Sequence, residues 1–279
     1  MNGNEMLKSV IELANNIRSK KPLIECLTNR VTINDCANML LAMGASPIMA
    51  EMEQEMEEIV SISDGLVLNM GLLGEEYPAA MRTAAKAANA LGKPVVLDPV
   101  GVGASKYRMR VNREMINLVS PWIIRGNMSE ILALSKGAVG GRGVDAAAED
   151  AVGDSNMEAM GSIVKAYSAS VGSVVCATGA VDIISDGDRV FYVKNGSDML
   201  CDVTGTGCMC TAMTGAAAVC GDPLTAAVSA VTMLGIAGEL AAEYARENGG
   251  GIGTFKVKLF DYIYTMTDED FIRRGKIFN

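Results

Sequence analysis

Short runs rich in Val, Ile and Leu recur along this chain between longer segments rich in Ala, Met and Glu. PLIECLTN predicts a strand ending in a polar loop, and TINDCANMLLAMG a helix that stops at Gly44. SPIMA reads as a short strand, Glu51 to Ser61 as an acidic helix and GLVLNMG as a strand. A helix from about Glu75 to Leu91 leads through Gly92 to the strand PVVLDPVGVG. A helix around Arg110 to Val119 precedes the strand PWIIRGN, and the next helix opens at Asn127. SVVCATG, VDIISDG and DRVFYVKNG carry turn residues between apolar runs and predict three successive strands. The remainder reads as largely helical, and the N-terminal MNGNEMLKSVIELANNIRSKK has the pattern of an amphipathic helix.

Repeated strand–helix–strand alternation predicts an α/β fold, a mainly parallel sheet covered by helices on both faces. The most linker-like stretch, Gly137 to Asn156, is read as a surface loop, so residues 1–279 are expected to form one domain. In such sheets ligands bind beyond the carboxyl ends of the strands. Thr28 and Asn29, Asn69, Asp98, Arg125 and Asn127, and Thr178 each follow or close an apolar run, which predicts a polar rim there.

Composition narrows the picture. The chain is acidic, with a net charge of −9, and shows no basic face of the kind that nucleic-acid binders carry. Gly205 to Ala242 is weakly polar but is broken at Gly221, Asp222 and Pro223, which predicts two buried helices rather than a membrane span. The N-terminus lacks the form of a secretory signal. Seven cysteines in no disulfide spacing point to a reducing cytoplasm. There is no histidine, which removes imidazole triads and leaves zinc only scattered thiols. Cys26, Cys36, Cys176, Cys201 and Cys220 are expected to be small buried residues.

Candidate chemistry gathers at DVTGTGCMC, Asp202 to Cys210. Glycines allow a turn that other residues resist, and the first amides of the helix behind it point outward at the positive end of its dipole. A phosphate is the natural guest, although Gly-x-Gly before a helix also serves ordinary tight turns. The dinucleotide fingerprint would come early in the chain, and a P-loop would need Gly-Lys-Ser/Thr, which is absent.

VVLDPVGVGAS, IIRGNMSEI, VVCATGAVDII and DVTGTGCMC, in that order, with LTNRVTINDCANMLLAMGASPIMAE before them, resemble the hydroxyethylthiazole kinases of the ribokinase-like superfamily. The resemblance runs from about Pro22 to Ala242. It implies a three-layer α/β/α fold and transfer of the ATP γ-phosphoryl group to the primary alcohol of 5-(2-hydroxyethyl)-4-methylthiazole in thiamine salvage. It also implies Mg²⁺ beside the phosphates, and a homotrimer with the thiazole pocket at the subunit interface. Asn29, Val31, Met49 and the Gly205 backbone match substrate-binding positions. Arg125, Asn127 and Thr178 match ATP-binding positions, and Asp98 and Glu130 are hard oxygen ligands suited to magnesium. Gly205, Thr206 and Gly207 would form the anion hole for the moving phosphoryl group. Cys208 stands where most ribokinase-like enzymes carry an aspartate base. A helix N-terminus favours a thiolate while nearby phosphates oppose one, which leaves the protonation state of Cys208 open. Because the loose transition state needs little early proton removal, Cys208 is expected to assist and the anion hole to dominate. Family members commonly have a histidine in the strand before the Thr-Asn pair, a neighbourhood that reads IECLTN here, with Glu25, and an aromatic and a glycine where Asp35 and Met39 stand. Those departures bear on substrate preference. The alternatives are another ribokinase-like kinase, of hydroxymethylpyrimidine type, and a nucleotide-binding trimer without catalysis.

Overall fold

The computed structural model describes residues 1–71, 74, 77–137, 152–153 and 155–279. The surface loop expected over 137–156 therefore lies largely outside the described residues. Among the described residues nine strands form one sheet in the order β2-β1-β3-β4-β5-β6-β7-β8-β9. These are β1 (Leu23–Leu27), β2 (Ser46–Ile48), β3 (Gly65–Asn69), β4 (Val95–Asp98), β5 (Ile123–Asn127), β6 (Val174–Thr178), β7 (Asp182–Ser185), β8 (Val190–Val193) and β9 (Ile277–Phe278). Strands β1 to β6 pair in parallel, and β6 to β9 run antiparallel.

Helices cover both faces. Their ranges are α1 (Gly3–Lys20), α2 (Ile33–Met43), α3 (Met56–Ile62), α4 (Tyr77–Ala90), α5 (Lys106–Val119) and α6 (Met128–Lys136). They continue as α7 (Met157–Val171), α8 (Thr206–Cys220), α9 (Pro223–Glu247), α10 (Ile252–Thr265) and α11 (Asp268–Arg274). Two apolar clusters show the three layers. One joins Ile24, Cys26, Val67, Val96, Ile123 and Cys176 of the sheet to α1, α2, α8, α9 and α10. The other joins Leu27, Leu66, Leu68, Leu97, Ile124 and Val175 to α3, α4, α5, α6 and α7. Burial of each large apolar side chain contributes about 1.5–3 kcal/mol, so these two interfaces carry the fold.

The outcome matches the expected α/β architecture, with three differences. Helix α5 begins at Lys106, because the Ser105 hydroxyl caps the Arg108 amide there. The acidic helix expected from Glu51 opens as a short 3₁₀ turn at Glu53–Glu55 before α3. The C-terminal segment, expected to be helical, ends in β9, paired with Tyr192 and Val193 of β8. Helix α9 is long and apolar enough to cross a membrane by composition, yet 89% of its most apolar stretch is buried inside the fold. Asp222 caps α9 through the Leu224 and Thr225 amides.

Candidate active site

The two-residue period of the strands selects the site. Val67, Val96, Ile123 and Cys176 face the α8 side of the sheet. Two residues later on each strand come Asn69, Asp98, Arg125 and Thr178, which therefore point to the same side. The register sets Asn69 beside Asp98, and Arg125 beside Cys176. The polar rim expected from sequence thus converges on the N-terminus of α8. Arg108 ties two of its loops together by donating to the carbonyls of Met70, Gly71 and Val100.

Gly205 caps α8 with φ +91°, a left-handed conformation that side chains with a Cβ resist, and the Thr32 methyl occupies the space a Cβ would need. The first intrahelical bond runs from the Met209 amide to the Gly205 carbonyl at 2.8 Å. The amides of Thr206, Gly207 and Cys208 therefore precede the helical ladder and face outward. The Thr206 hydroxyl turns back to the Leu200 carbonyl at 2.9 Å, so this residue offers the site its backbone. A Cβ at Gly207 would stand 2.9 Å from Arg125 Nη1, which brings the guanidinium against the same turn.

Arg125 is almost wholly buried, and its Nη2 donates to Thr178 Oγ1 at 2.7 Å. Burial works against its charge, but Cys210, Asp98, Cys176 and Glu130 around it more than offset that and keep it protonated. Its Nε has no hydrogen-bond partner among the described residues. Asp98 is buried; its Oδ2 accepts from Asn69 Nδ2 at 3.0 Å and from Thr211 Oγ1 at 2.6 Å. Its Oδ1 is unpartnered, and burial pushes its carboxyl above the usual range despite Arg125, Thr211 and Asn69.

Glu130 and Asn127 open α6 as a reciprocal cap. Asn127 Oδ1 accepts from the Glu130 amide and Glu130 Oε2 from the Asn127 amide, each at 2.8 Å. Glu130 Oε1 accepts from the Gly101 amide at 2.7 Å. Burial, and then the Asp98 charge, push Glu130 up to about 7. The two carboxylates therefore feel each other without sharing a hydrogen bond. Among the described residues no group of three or more Cys, Asp or Glu is placed to hold a metal ion.

Cys208 Sγ accepts from Asn29 Nδ2 at 3.3 Å and Asn69 Nδ2 at 3.2 Å. Burial first, then Asp98, push the Cys208 thiol above its usual value, and the Asn69, Thr32 and Asn29 donors only partly oppose this. Val31 is exposed and joins the network only by its amide, which donates to Asn29 Oδ1 at 3.1 Å. Met49 and Cys208 lie half-buried at the rim of one apolar cluster, and Met49 is not hydrogen-bonded into the network.

Other expectations resolve away from the turn. Cys201 is exposed rather than buried, since it closes a surface 3₁₀ turn. Asp35 pairs with Lys256 of α10 at 2.7 Å, and Met39 lies in the core. Glu25 is fully buried on the opposite face of the sheet from α8. Neither of its oxygens is hydrogen-bonded, and burial pushes it up to about 8, with the Ala50 amide opposing and Glu55 adding to the rise. Thr211 is the residue that sequence reasoning missed. It lies four residues beyond Gly207 on α8, a spacing that places both on one helix face.

Residues 14–269 match the model of the hydroxyethylthiazole kinase family. This chain belongs to that family. A hydroxyethylthiazole kinase from Thermoanaerobacter pseudethanolicus is 46% identical over 92% of this chain and 95% of its own. The solved hydroxyethylthiazole kinase of Pyrococcus horikoshii is 38% identical and covers 97% of this chain and 98% of its own, with a TM-score of 0.87. A ribokinase-like superfamily protein from Enterococcus faecalis, 13% identical, covers 91% of this chain and 89% of its own at a TM-score of 0.59, and so shares the fold. The sheet and its helical layers described above are those of a hydroxyethylthiazole kinase family member with a ribokinase-like fold.

Proposed function

We propose that this kinase transfers the γ-phosphoryl group of ATP to the primary alcohol of 5-(2-hydroxyethyl)-4-methylthiazole, a step of thiamine salvage. The observation that carries the reading is the convergence of Arg125, Asp98 and Cys208 on the outward amides that open α8. Phosphoryl transfer asks a protein mainly for positioning and for stabilisation of charge on the moving group. The Gly205, Thr206 and Gly207 backbone supplies preorganised donors, with no reorganisation needed as charge shifts. Arg125 adds a fixed positive charge beside them, oriented by Thr178, and Asn127 orders the adjoining helix start.

The buried, unpartnered Asp98 Oδ1 and the neighbouring Glu130 fit a hard cation. These two residues would hold Mg²⁺, directly or through its waters, and the ion would supply neutralisation of phosphate charge. Asn29, Val31, Met49 and the Gly205 backbone are read as the alcohol's surroundings, a polarizable methionine suiting a thiazole ring. Cys208 holds its proton at neutral pH, which makes it an assistant rather than a strong base. The loose transition state needs little proton removal early.

The proposed homotrimer places the thiazole pocket between subunits. It is supported by the exposed apolar side chains Val31, Leu41, Val257 and Tyr264. Leu41 and Tyr264 line a groove of about 490 Å³ between α2 and α10. The test of function is ADP release with ATP and Mg²⁺ across thiazole, pyrimidine and sugar alcohols. Turnover of the thiazole alcohol above the others is expected; activity confined to a pyrimidine alcohol would replace this reading with the hydroxymethylpyrimidine type.

A further inference from the structure

Asn69 closes β3 and is 1% exposed. Its Oδ1 accepts from the Gly71 amide at 3.0 Å and from Asn29 Nδ2 at 3.1 Å. A backbone N–H only donates, so the carboxamide oxygen must face Gly71. Its nitrogen is thereby aimed at Asp98 Oδ2, 3.0 Å away, and Cys208 Sγ, 3.2 Å away. The same logic orients Asn29: the Val31 amide donates to its Oδ1, leaving Nδ2 for Asn69 Oδ1 and Cys208 Sγ. A Cβ at residue 71 would stand 2.9 Å from Asn69 Oδ1 and 3.0 Å from Asn29 Nδ2, so glycine there leaves the pair room.

We propose that Asn69 is a positioning residue, whose single carboxamide holds the Cys208 sulfur and the Asp98 carboxylate in fixed relation. It links the acceptor side of the site to the phosphate side and acts through those two groups. The roles of Cys208 and Asp98 rest on the function proposed above; the geometry of Asn69 does not.

The test introduces Asn69→Leu into the natural chain and into a Cys208→Ala chain, with kcat and KM measured for alcohol and ATP. In the natural background kcat is expected to fall about tenfold or more, the scale of a weak proton-transfer contribution, while both KM values stay within about threefold. In the Cys208→Ala background that fall should shrink at least about fivefold, because residues of one network couple. A second readout needs no turnover: alkylation of Cys208 by iodoacetamide at about pH 8, followed by peptide mass spectrometry with exposed Cys201 as reference. Loss of an amide donor disfavours the nucleophilic thiolate, so Cys208 should react about fivefold slower relative to Cys201. Equal falls of kcat in both backgrounds, or an unchanged Cys208 to Cys201 ratio, would overturn the proposal. Should Asn69→Leu not fold, Asn69→Ser carries the same comparisons. If the natural chain phosphorylates no alcohol, the kinase reading fails, and the alkylation ratio alone decides the role of Asn69.

Discussion

At Gly207 the space for a Cβ is already taken by Arg125 Nη1, so even a small side chain pushes on the guanidinium. Gly207→Val is expected to lower kcat/KM by about 10³-fold or more, the scale of losing an oxyanion donor. Cys208→Ala should cost less than about 10²-fold, since a mostly protonated thiol is a weak base. Steady-state ADP release measures both, and the opposite ranking would remove the anion hole from its leading role. Glu25 poses a different question, because its cost is paid in stability. Burial raises its folded value to about 8, so the fold prefers the neutral acid. Its contribution is complete below about 4.5 and is lost as pH rises through about 8. Glu25→Gln should match the natural chain near pH 5 and exceed it near pH 9 by on the order of a few kcal/mol. Urea unfolding at both pH values checks this; equal stabilities at pH 9 would contradict it. The sequence marked Glu25 only as a departure from the family pattern, and not which side of the sheet received it.

Among the elements, α6 joins stability to the site most directly. Its cap uses Asn127 and Glu130 reciprocally, and Glu130 also holds the Gly101 amide of the loop after β4. Asn127→Ala should cost about 1 kcal/mol in thermal or urea unfolding. It should also raise the KM for ATP–Mg²⁺, because Glu130 loses its fixed orientation; an unchanged KM would confine this pair to capping. The Asn127–Glu130 spacing was legible as a helix start, and the glycines before α8 as a turn. Strand β9 was not legible. Two residues carry too little periodicity, and their partner β8 lies more than eighty positions earlier. Thr211 escaped for a similar reason: only the packing of α8 over β4 brings its hydroxyl to Asp98.

At the scale of the whole molecule the proposed homotrimer sets the predictions. Light scattering coupled to size exclusion is expected to give three times the chain mass. Charging the exposed face with Leu41→Asp and Val257→Asp should yield smaller species and a raised alcohol KM with little change for ATP. A natural chain that runs as a monomer with full activity would remove the interfacial pocket. The same scale explains α9. Its composition alone would allow a membrane span, yet it fills the core on the α8 side of the sheet.

Sequence by itself determined the alternation of strands and helices, the helix stops, the polar strand ends and the glycine turn before α8. Those signals are local, written in side-chain period and backbone freedom. Only the tertiary structure decided that Asn69, Asp98, Arg125 and Thr178 share one face, that Thr211 joins them, that burial raises the Cys208 thiol and that Glu25 lies in the opposite layer. Each of those depends on desolvation and on contacts between residues far apart in the chain, and no local pattern encodes either.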